Sequence, residues 1–295
     1  INNLLEMRQQ GITKLQLGVQ SMDDRILELN KRGHTAEQAE EAIRLVRSAG
    51  YKVVVHWMPN LLGATPQSDR QDFARLWRDG GINPDELKIY PCQLLRNAEL
   101  YQYWQRGEYK PYSEKELIDL LADIKPTVPR FCRINRVIRD IPSNHVVEGN
   151  RNTSLRQDVA LEMEKRGTAC QCIRCREIRK GKIDDRDLLS DDLVYRAGWA
   201  EEHFLSYNTQ DDHILGFLRL SLPDKDHYFP AEELQDAAII REVHVYGQSI
   251  EVGEEGGTSA QHRGLGSSLI EQAVEIARLN GYQKLTVISA VGTRE

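Results

Sequence analysis

Lys14-Leu15-Gln16-Leu17-Gly18-Val19-Gln20 alternates apolar with polar side chains and then breaks at Ser21. That period predicts a β-strand with one covered face. Moving toward the carboxyl terminus, Ser21 and Asp23 stand where helix caps stand, so a helix is expected over Asp24–Lys31, with Gly33 ending it. Thr35 and Gln38 have the spacing of a capping box. Ala39, Ile43, Leu45 and Val46 supply the apolar face of the helix that follows, and Gly50 stops it. A second strand is predicted over 52–59, a helix over 69–77, a third strand over 86–91 and a helix over 114–124 capped by Ser113. The order β-α-β-α-β-α predicts a parallel sheet or barrel. Ligands of such folds sit at the carboxyl ends of the strands. Here those ends carry Gln20, His56 and Pro59-Asn60, and Lys88 lies within the third strand.

The chain has 295 residues, 40% hydrophobic and 28% charged, which is length enough for two domains. No apolar run approaches the roughly 20 residues that span a bilayer, so no membrane partner is expected. The opening Ile1-Asn2-Asn3 lacks the basic-then-apolar start of a signal peptide. Five unevenly spread cysteines point to a reducing, cytoplasmic setting rather than a disulfide framework. The net charge of −6 does not advertise nucleic-acid binding, which would need a local basic patch. Ile1 is not a natural start, and the expected last strand has nothing after Glu295 to pair beside it. The expectation is therefore an internal fragment, cut at both ends.

Cys170-Gln171-Cys172-Ile173-Arg174-Cys175 places three thiols within six residues. Such crowding suits a zinc ion, whose sulfur ligands share a tight turn, and would strain a disulfide between Cys170 and Cys172. A structural zinc wants a fourth ligand: His145, Cys132, a water or a bound ligand. The bland alternative is a surface loop with three unpaired thiols. The loop lies between two halves of different character and is expected to staple them. Around it runs a cationic segment: Arg130, Arg133, Arg136 and Arg139, then Arg151 and Arg156, with Lys165, Arg166, Arg174, Arg176, Arg179, Lys180 and Lys182 beyond. Guanidiniums bind phosphates in pairs of hydrogen bonds and stack on bases, so RNA contact is expected. Interleaved acids such as Asp158, Glu162 and Glu177 keep an ion-paired surface as the alternative. A helix is expected over 158–165.

In the second half, strands are predicted over 200–206, 214–221 and 237–245. Gln261-His262-Arg263-Gly264-Leu265-Gly266 then opens a helix over 267–279, with a further strand over 284–289. Leu269, Ile270, Ala273, Ile276 and Ala277 make that helix's apolar face. Gly264 and Gly266 let a phosphate approach the amides at its positive end. Glu242 and His244 on the neighbouring strand are either bases or packing residues, and no catalytic residue is assigned. Gln248 to Thr258, rich in Gly and Glu, is expected to be a loop. The domains are set at 1–142, a basic zinc-binding linker 143–190, and 191–295.

Three resemblances follow from these residues. Gly18-Val19-Gln20-Ser21 with Arg32-Gly33-His34-Thr35 and His56-Trp57-Met58-Pro59-Asn60 resembles the central part of a radical S-adenosylmethionine enzyme. That likeness implies that Gln20, Arg32 and His56 bind the cofactor. Radical enzymes of this kind hold a 4Fe–4S cluster on cysteines spaced C-x3-C-x2-C, a spacing this chain lacks, so the chain alone is not expected to bind the cluster. Gln261-His262-Arg263-Gly264-Leu265-Gly266, followed by Ser267, resembles the acetyl-coenzyme A loop of GNAT acyltransferases, which implies a pyrophosphate on the amides from His262 to Ser267 and a charge contact from Arg263. With Lys88-Ile89-Tyr90-Pro91 and Arg139-Asp140-Ile141-Pro142, the whole is similar to the catalytic subunit of Elongator. The fold implied is α/β: a partial radical-SAM (β/α) barrel fused through a zinc-binding linker to a GNAT α+β domain. The resemblance implies carboxymethylation of the tRNA wobble uridine. An adenosyl radical from S-adenosylmethionine would take hydrogen from the acetyl methyl of acetyl-CoA, the carbon radical would add to C5 of the base, and thioester hydrolysis would complete the reaction. It also implies tRNA and other Elongator subunits as partners. Without the cluster cysteines, the expectation is a tRNA-binding fragment short of full activity. The competing readings are a GNAT-type lysine acetyltransferase and a non-catalytic tRNA-binding module.

Overall fold

The computed structural model describes residues 1–139, 141–178, 188–227, 229–246 and 264–293. The expected loop Gln248–Thr258, together with Gln261, His262, Arg263, Arg179, Lys180 and Lys182, lies outside the described residues. In chain order the elements are α1 (Asn2–Gln9), β1 (Lys14–Gln20), α2 (Asp24–Leu29), α3 (Ala36–Ser48), β2 (Lys52–Trp57), α4 (Pro66–Arg75) and β3 (Glu86–Ile89). Next come β4 (Leu94–Leu95), α5 (Leu100–Gln105), α6 (Glu114–Ile124), β5 (Arg133–Arg136), β6 (Val146–Glu148), α7 (Leu155–Lys165) and α8 (Ile173–Arg176). The chain continues with β7 (Leu189–Ala197), β8 (Ala200–Asn208), β9 (Ile214–Pro223), β10 (Ala237–Val245), α9 (Leu265–Leu279) and β11 (Lys284–Val287). The fold is α/β, as the alternation of strand and helix patterns requires. Contacts divide it into two compact units, one of Gln16–Ala42 with Val54–Cys172, the other of Ile1–Leu15, Ile43–Val53 and Ile173–Glu295.

The first sheet has the order β1-β2-β3-β5, with β2, β3 and β5 paired in parallel. Val55, Trp57, Leu87, Ile89 and Ile134 are fully buried, which is where parallel strands put their near-continuous apolar runs. Each such side chain contributes about 1.5–3 kcal/mol of transfer free energy. Caps set the helix starts. Asp23 accepts from the amides of Arg25 and Ile26, and Thr35 and Gln38 close their box through Thr35 N–H to Gln38 Oε1 at 3.0 Å and Gln38 N–H to Thr35 Oγ1 at 3.2 Å. Ser21 is not the N-cap; its hydroxyl accepts from the amide of the cap residue Asp23 and donates to Asp72, each at 3.1 Å. Helix α4 starts three residues before the expected Asp69, because Thr65 and Ser68 form a capping box and Pro66 suits the first helical position. Leu94 and Leu95 pair antiparallel with Glu148 and Val146, making a two-stranded ribbon that no alternation in so short a run could announce.

The second sheet has the order β11-β10-β9-β8-β7, antiparallel except for β11, which runs parallel to β10 after the crossover through α9. Leu269, Ala273 and Ala277 of α9 pack on Leu205, Leu218, Leu220 and Ile240. Ile270, expected on that face, is exposed instead. Between Ile240 and Glu242, β10 shifts register against β9, a bulge that holds Arg241. Arg241 is buried and donates to Glu202 Oε2 at 2.6 Å and to the carbonyl of Tyr51 at 3.2 Å. Ser221 donates to Glu202 Oε1 at 2.7 Å, and Arg47 stands 3.6 Å from the same carboxylate. Glu242 bridges Lys52 at 2.5 Å and Arg219 at 2.9 Å. Its carboxylate is committed to two cations, which favours the packing role over that of a base.

Candidate functional sites

Three places gather the residues singled out from sequence. The first is the carboxyl edge of the parallel sheet. Gln20 ends β1 with φ +67°, a left-handed conformation costly for a residue with a Cβ. The turn is held from below. Asp72 accepts from the Met22 amide at 2.7 Å, the Ser21 hydroxyl at 3.1 Å and Trp57 Nε1 at 2.7 Å. So held, the Gln20 side chain folds back over Gly18. A Cβ at Gly18 would meet Gln20 Nε2 at 2.5 Å and lie 3.8 Å from Arg32 Nη2. The glycine is therefore what lets the amide and guanidinium converge. Gln20 is 8% exposed, and its Oε1 is buried with no hydrogen-bond partner. An orphaned buried acceptor costs stability unless a donor arrives.

On the same sheet, His56 of β2 pairs in register with Lys88 of β3, and Lys88 with Arg136 of β5. Gln16 of β1 ties the row together: its Oε1 accepts from Lys88 Nζ at 2.6 Å and lies 3.2 Å from His56 Nε2. Burial, then the charges of Lys88 and Arg139, push the His56 pKa down, so the imidazole is neutral at neutral pH. Tyr90 meets His56 edge-on at 5.3 Å and carries the Arg139 guanidinium 5.7 Å from its ring centre. Three of the expected RNA-facing arginines, Arg136, Arg139 and Arg151, are exposed, whereas Arg130, Arg133 and Arg156 are half-buried. Arg156 donates to the Ile134 carbonyl at 2.9 Å, and Arg151 to the Val147 carbonyl. Below the edge, Asp69 accepts from the Asn60 amide and the Tyr112 hydroxyl, each at 2.8 Å, and burial pushes its pKa up to about 7.

The second place is the start of α9. Gly264 is its N-cap at φ +70°, with open space where a Cβ would stand. The amides of Leu265, Gly266 and Ser267 form the first turn, the donors a helix leaves for an anion. Gly264 and Ser267 are exposed, Gly266 is half-buried and Leu265 is buried.

The third is the thiolate loop. The sulfurs of Cys170, Cys172 and Cys175 lie within 4.8 Å of one another, with Cys172 fully buried. Zinc–sulfur bonds of about 2.3 Å in a tetrahedron separate sulfurs by about 3.8 Å, so three ligands fit with a small closure. Among the described residues neither Cys132 nor His145 joins this group. Cys132 is buried and His145 exposed. On the carboxyl side of the loop, Arg176 is buried and bonds Asn208 and Asp212, each at 3.2 Å.

Sequence reading missed Asp69 and Asp72. The available signal was two acids, three apart and beside Phe73, on the face of α4 that the helical period turns inward.

Comparison with known proteins matches the Radical SAM superfamily over residues 2–76, the Radical_SAM C-terminal domain over 84–165 and the Acetyltransferase (GNAT) family over 174–293. Sheet and matches together define a radical-SAM protein that also carries a GNAT fold. The tRNA uridine(34) acetyltransferase of Dehalococcoides mccartyi is 40% identical over 97% of this chain and 63% of its own length. Elongator complex protein 3 of Danio rerio is 37% identical over 99% of this chain and 54% of its own. The solved structure titled as the archaeal Methanocaldococcus infernus Elp3 with an N-terminal deletion superposes with a TM-score of 0.91 at 34% identity, covering 99% of this chain and 70% of that one. The chain belongs to the Elongator complex protein 3 family. It spans 63% of the Dehalococcoides relative and 55% of the Methanocaldococcus jannaschii one. Among the described residues no helix is long and apolar enough to cross a membrane.

Proposed function

We propose that the chain forms part of a cytoplasmic acyltransferase that modifies the wobble uridine of tRNA, using acetyl-CoA and S-adenosylmethionine. The observation that carries the reading is the meeting of Gln20 and Arg32 over Gly18, with a buried acceptor awaiting a donor. S-adenosylmethionine offers an ammonium and ribose hydroxyls to such an acceptor, and a carboxylate to Arg32. Neutral His56 suits a hydroxyl rather than an anion. The first-turn amides of α9 suit the pyrophosphate of acetyl-CoA, which supplies the two-carbon unit. S-adenosylmethionine supplies radical chemistry when an iron–sulfur cluster reduces it. The cysteines present do not fit that cluster: Cys92 and Cys132 are buried singly, and the other three have zinc-like spacing. No step through the cluster is assigned to these residues. The exposed Arg136, Arg139 and Arg151 are proposed to meet RNA, and further Elongator subunits are proposed partners.

The test is acetyl-CoA hydrolysis by the chain with and without tRNA. Stimulation by tRNA is the expected result. Acetylation of a lysine peptide, indifferent to tRNA, would replace this reading with the lysine acetyltransferase one. For the thiolate loop, Cys172→Ser is expected to abolish bound zinc in elemental analysis and lower the melting temperature, because metal binding adds to folding free energy. Full zinc content and an unchanged melting curve would remove the metal role.

A further inference from the structure

The β4–β6 ribbon borders an open cavity of whose lining only Arg151, an expected RNA contact, and His145, a candidate zinc ligand, are singled out above. Its volume is 730 Å³, within the range of small-molecule and nucleotide sites. Both walls hang from the carboxyl edge of the parallel sheet: β4 follows β3, and β6 follows β5. The ladder Leu94↔Glu148 and Leu95↔Val146 fixes one wall against the other. Arg96, Asn97, Asn144, His145 and Arg151 bring polar groups to the lining. Leu95 and Val147 add aliphatic surface. Among the described residues the lining contains no carboxylate, so two guanidiniums set its sign. Arg151 spends one donor on the Val147 carbonyl, while Arg96, Asn97, Asn144 and His145 are exposed.

We propose that this cavity binds one nucleotide of a single-stranded RNA segment, its phosphate on Arg96 and Arg151 and its base against the aliphatic wall. The proposal rests on the tRNA reading above and names a subsite for it. Cations in a lining without carboxylates favour an anion. The amides of Asn97 and Asn144 offer donors and acceptors suited to a base edge, which a simple polyanion does not need. A concave site receives a base only when it is splayed from its stack, so a loop rather than a duplex is the partner. An acidic peptide would satisfy the arginines but leave the amide and aliphatic parts without a purpose.

The probe is a short RNA hairpin with a single-stranded loop, its affinity read by fluorescence anisotropy across a salt series. Arg96→Glu is expected to weaken binding roughly tenfold and make the salt slope shallower by about one. Asn97→Ala combined with Asn144→Ala is expected to weaken the hairpin but not polyphosphate. All three side chains are exposed, so folding is not at stake, and melting curves check that. A hairpin carrying 4-thiouridine in its loop is expected to crosslink to the peptides containing residues 95–97 or 144–151 of the unaltered protein. Unchanged hairpin affinity in Arg96→Glu, with Arg136→Glu still weakening it, overturns the cavity and leaves the tRNA reading intact. Failure of the unaltered protein to bind any RNA overturns both. Equal loss for polyphosphate and hairpin in the double asparagine variant, or Arg96-dependent capture of an acidic peptide in place of RNA, overturns the nucleotide assignment.

Discussion

The two sheets spend their charged residues in opposite ways. In the antiparallel sheet Glu202 accepts from Arg241 and Ser221, with Arg47 of α3 beside it, and Glu242 is divided between Lys52 and Arg219. In the parallel sheet Gln16 serves two donors at once, Arg136 and Arg139 reach outward, and a buried Gln20 oxygen has no donor. One sheet has used its polar groups to specify packing. The other turns a buried amide oxygen, Gln20 Oε1, toward its carboxyl edge without a protein donor, which is what a ligand requires. The lesson is that the antiparallel sheet must offer backbone amides at the head of α9 for binding, whereas the parallel sheet can offer side chains.

This contrast is most exposed to failure at Glu202. Glu202→Ala leaves two guanidiniums buried without their carboxylate and is expected to cost about 3–5 kcal/mol in chemical denaturation. Gln16→Ala on the parallel sheet is expected to stay within about 0.5 kcal/mol of the parent. Similar costs for the two would erase the distinction. Asp72→Ala should lie between them, at about 1–3 kcal/mol, since it orphans the Trp57 and Met22 donors. It should also weaken S-adenosylmethionine binding in calorimetry, because the turn that aims Gln20 loosens. Loss of stability with unaltered cofactor affinity would make Asp72 a packing residue alone.

Asp69 sharpens the comparison through pH. Its pKa rises from 3.8 to about 7, mainly by burial. The folded protein therefore keeps this proton where the unfolded chain has lost it, and stability falls as pH rises through that window. Asp69→Asn can still accept from Asn60 and Tyr112. It is expected to remove a slope approaching about 1.4 kcal/mol per pH unit from the stability profile. Parallel profiles for parent and variant would show that the carboxyl is ionised throughout. The smallest effect concerns His56. Lys88→Ala removes a charge that lowers its pKa, so an NMR titration of the imidazole should move upward. An unchanged or downward value would mean that the Lys88 charge does not hold the imidazole pKa down.

Much of this was legible in the sequence, for local reasons. Period-2 alternation marked β1, capping chemistry marked α3 and α6, and Gly264 marked the head of α9, because each signal lies within one turn or strand. The convergence on Gly18 was legible only in part: Gln20 and Arg32 were visible, but the need for a bare Cα beneath them is a property of the folded chain. Arg241 and Glu202 were opaque. A bulge re-aims one side chain without any change in composition, and the partner lies 39 residues away in sequence. The β4–β6 ribbon was missed because two and three residues carry no period.

Consider last the backbone at Gln20, bent at φ +67° where glycine would sit without strain. Breeding this protein for heat resistance alone should drift that position toward glycine, relieving the strained backbone while discarding the amide. A variant library sorted once for melting temperature and once for cofactor capture would then part company at this residue before most others, and the bend would be the mark of a chain tuned for its ligand at some expense to itself.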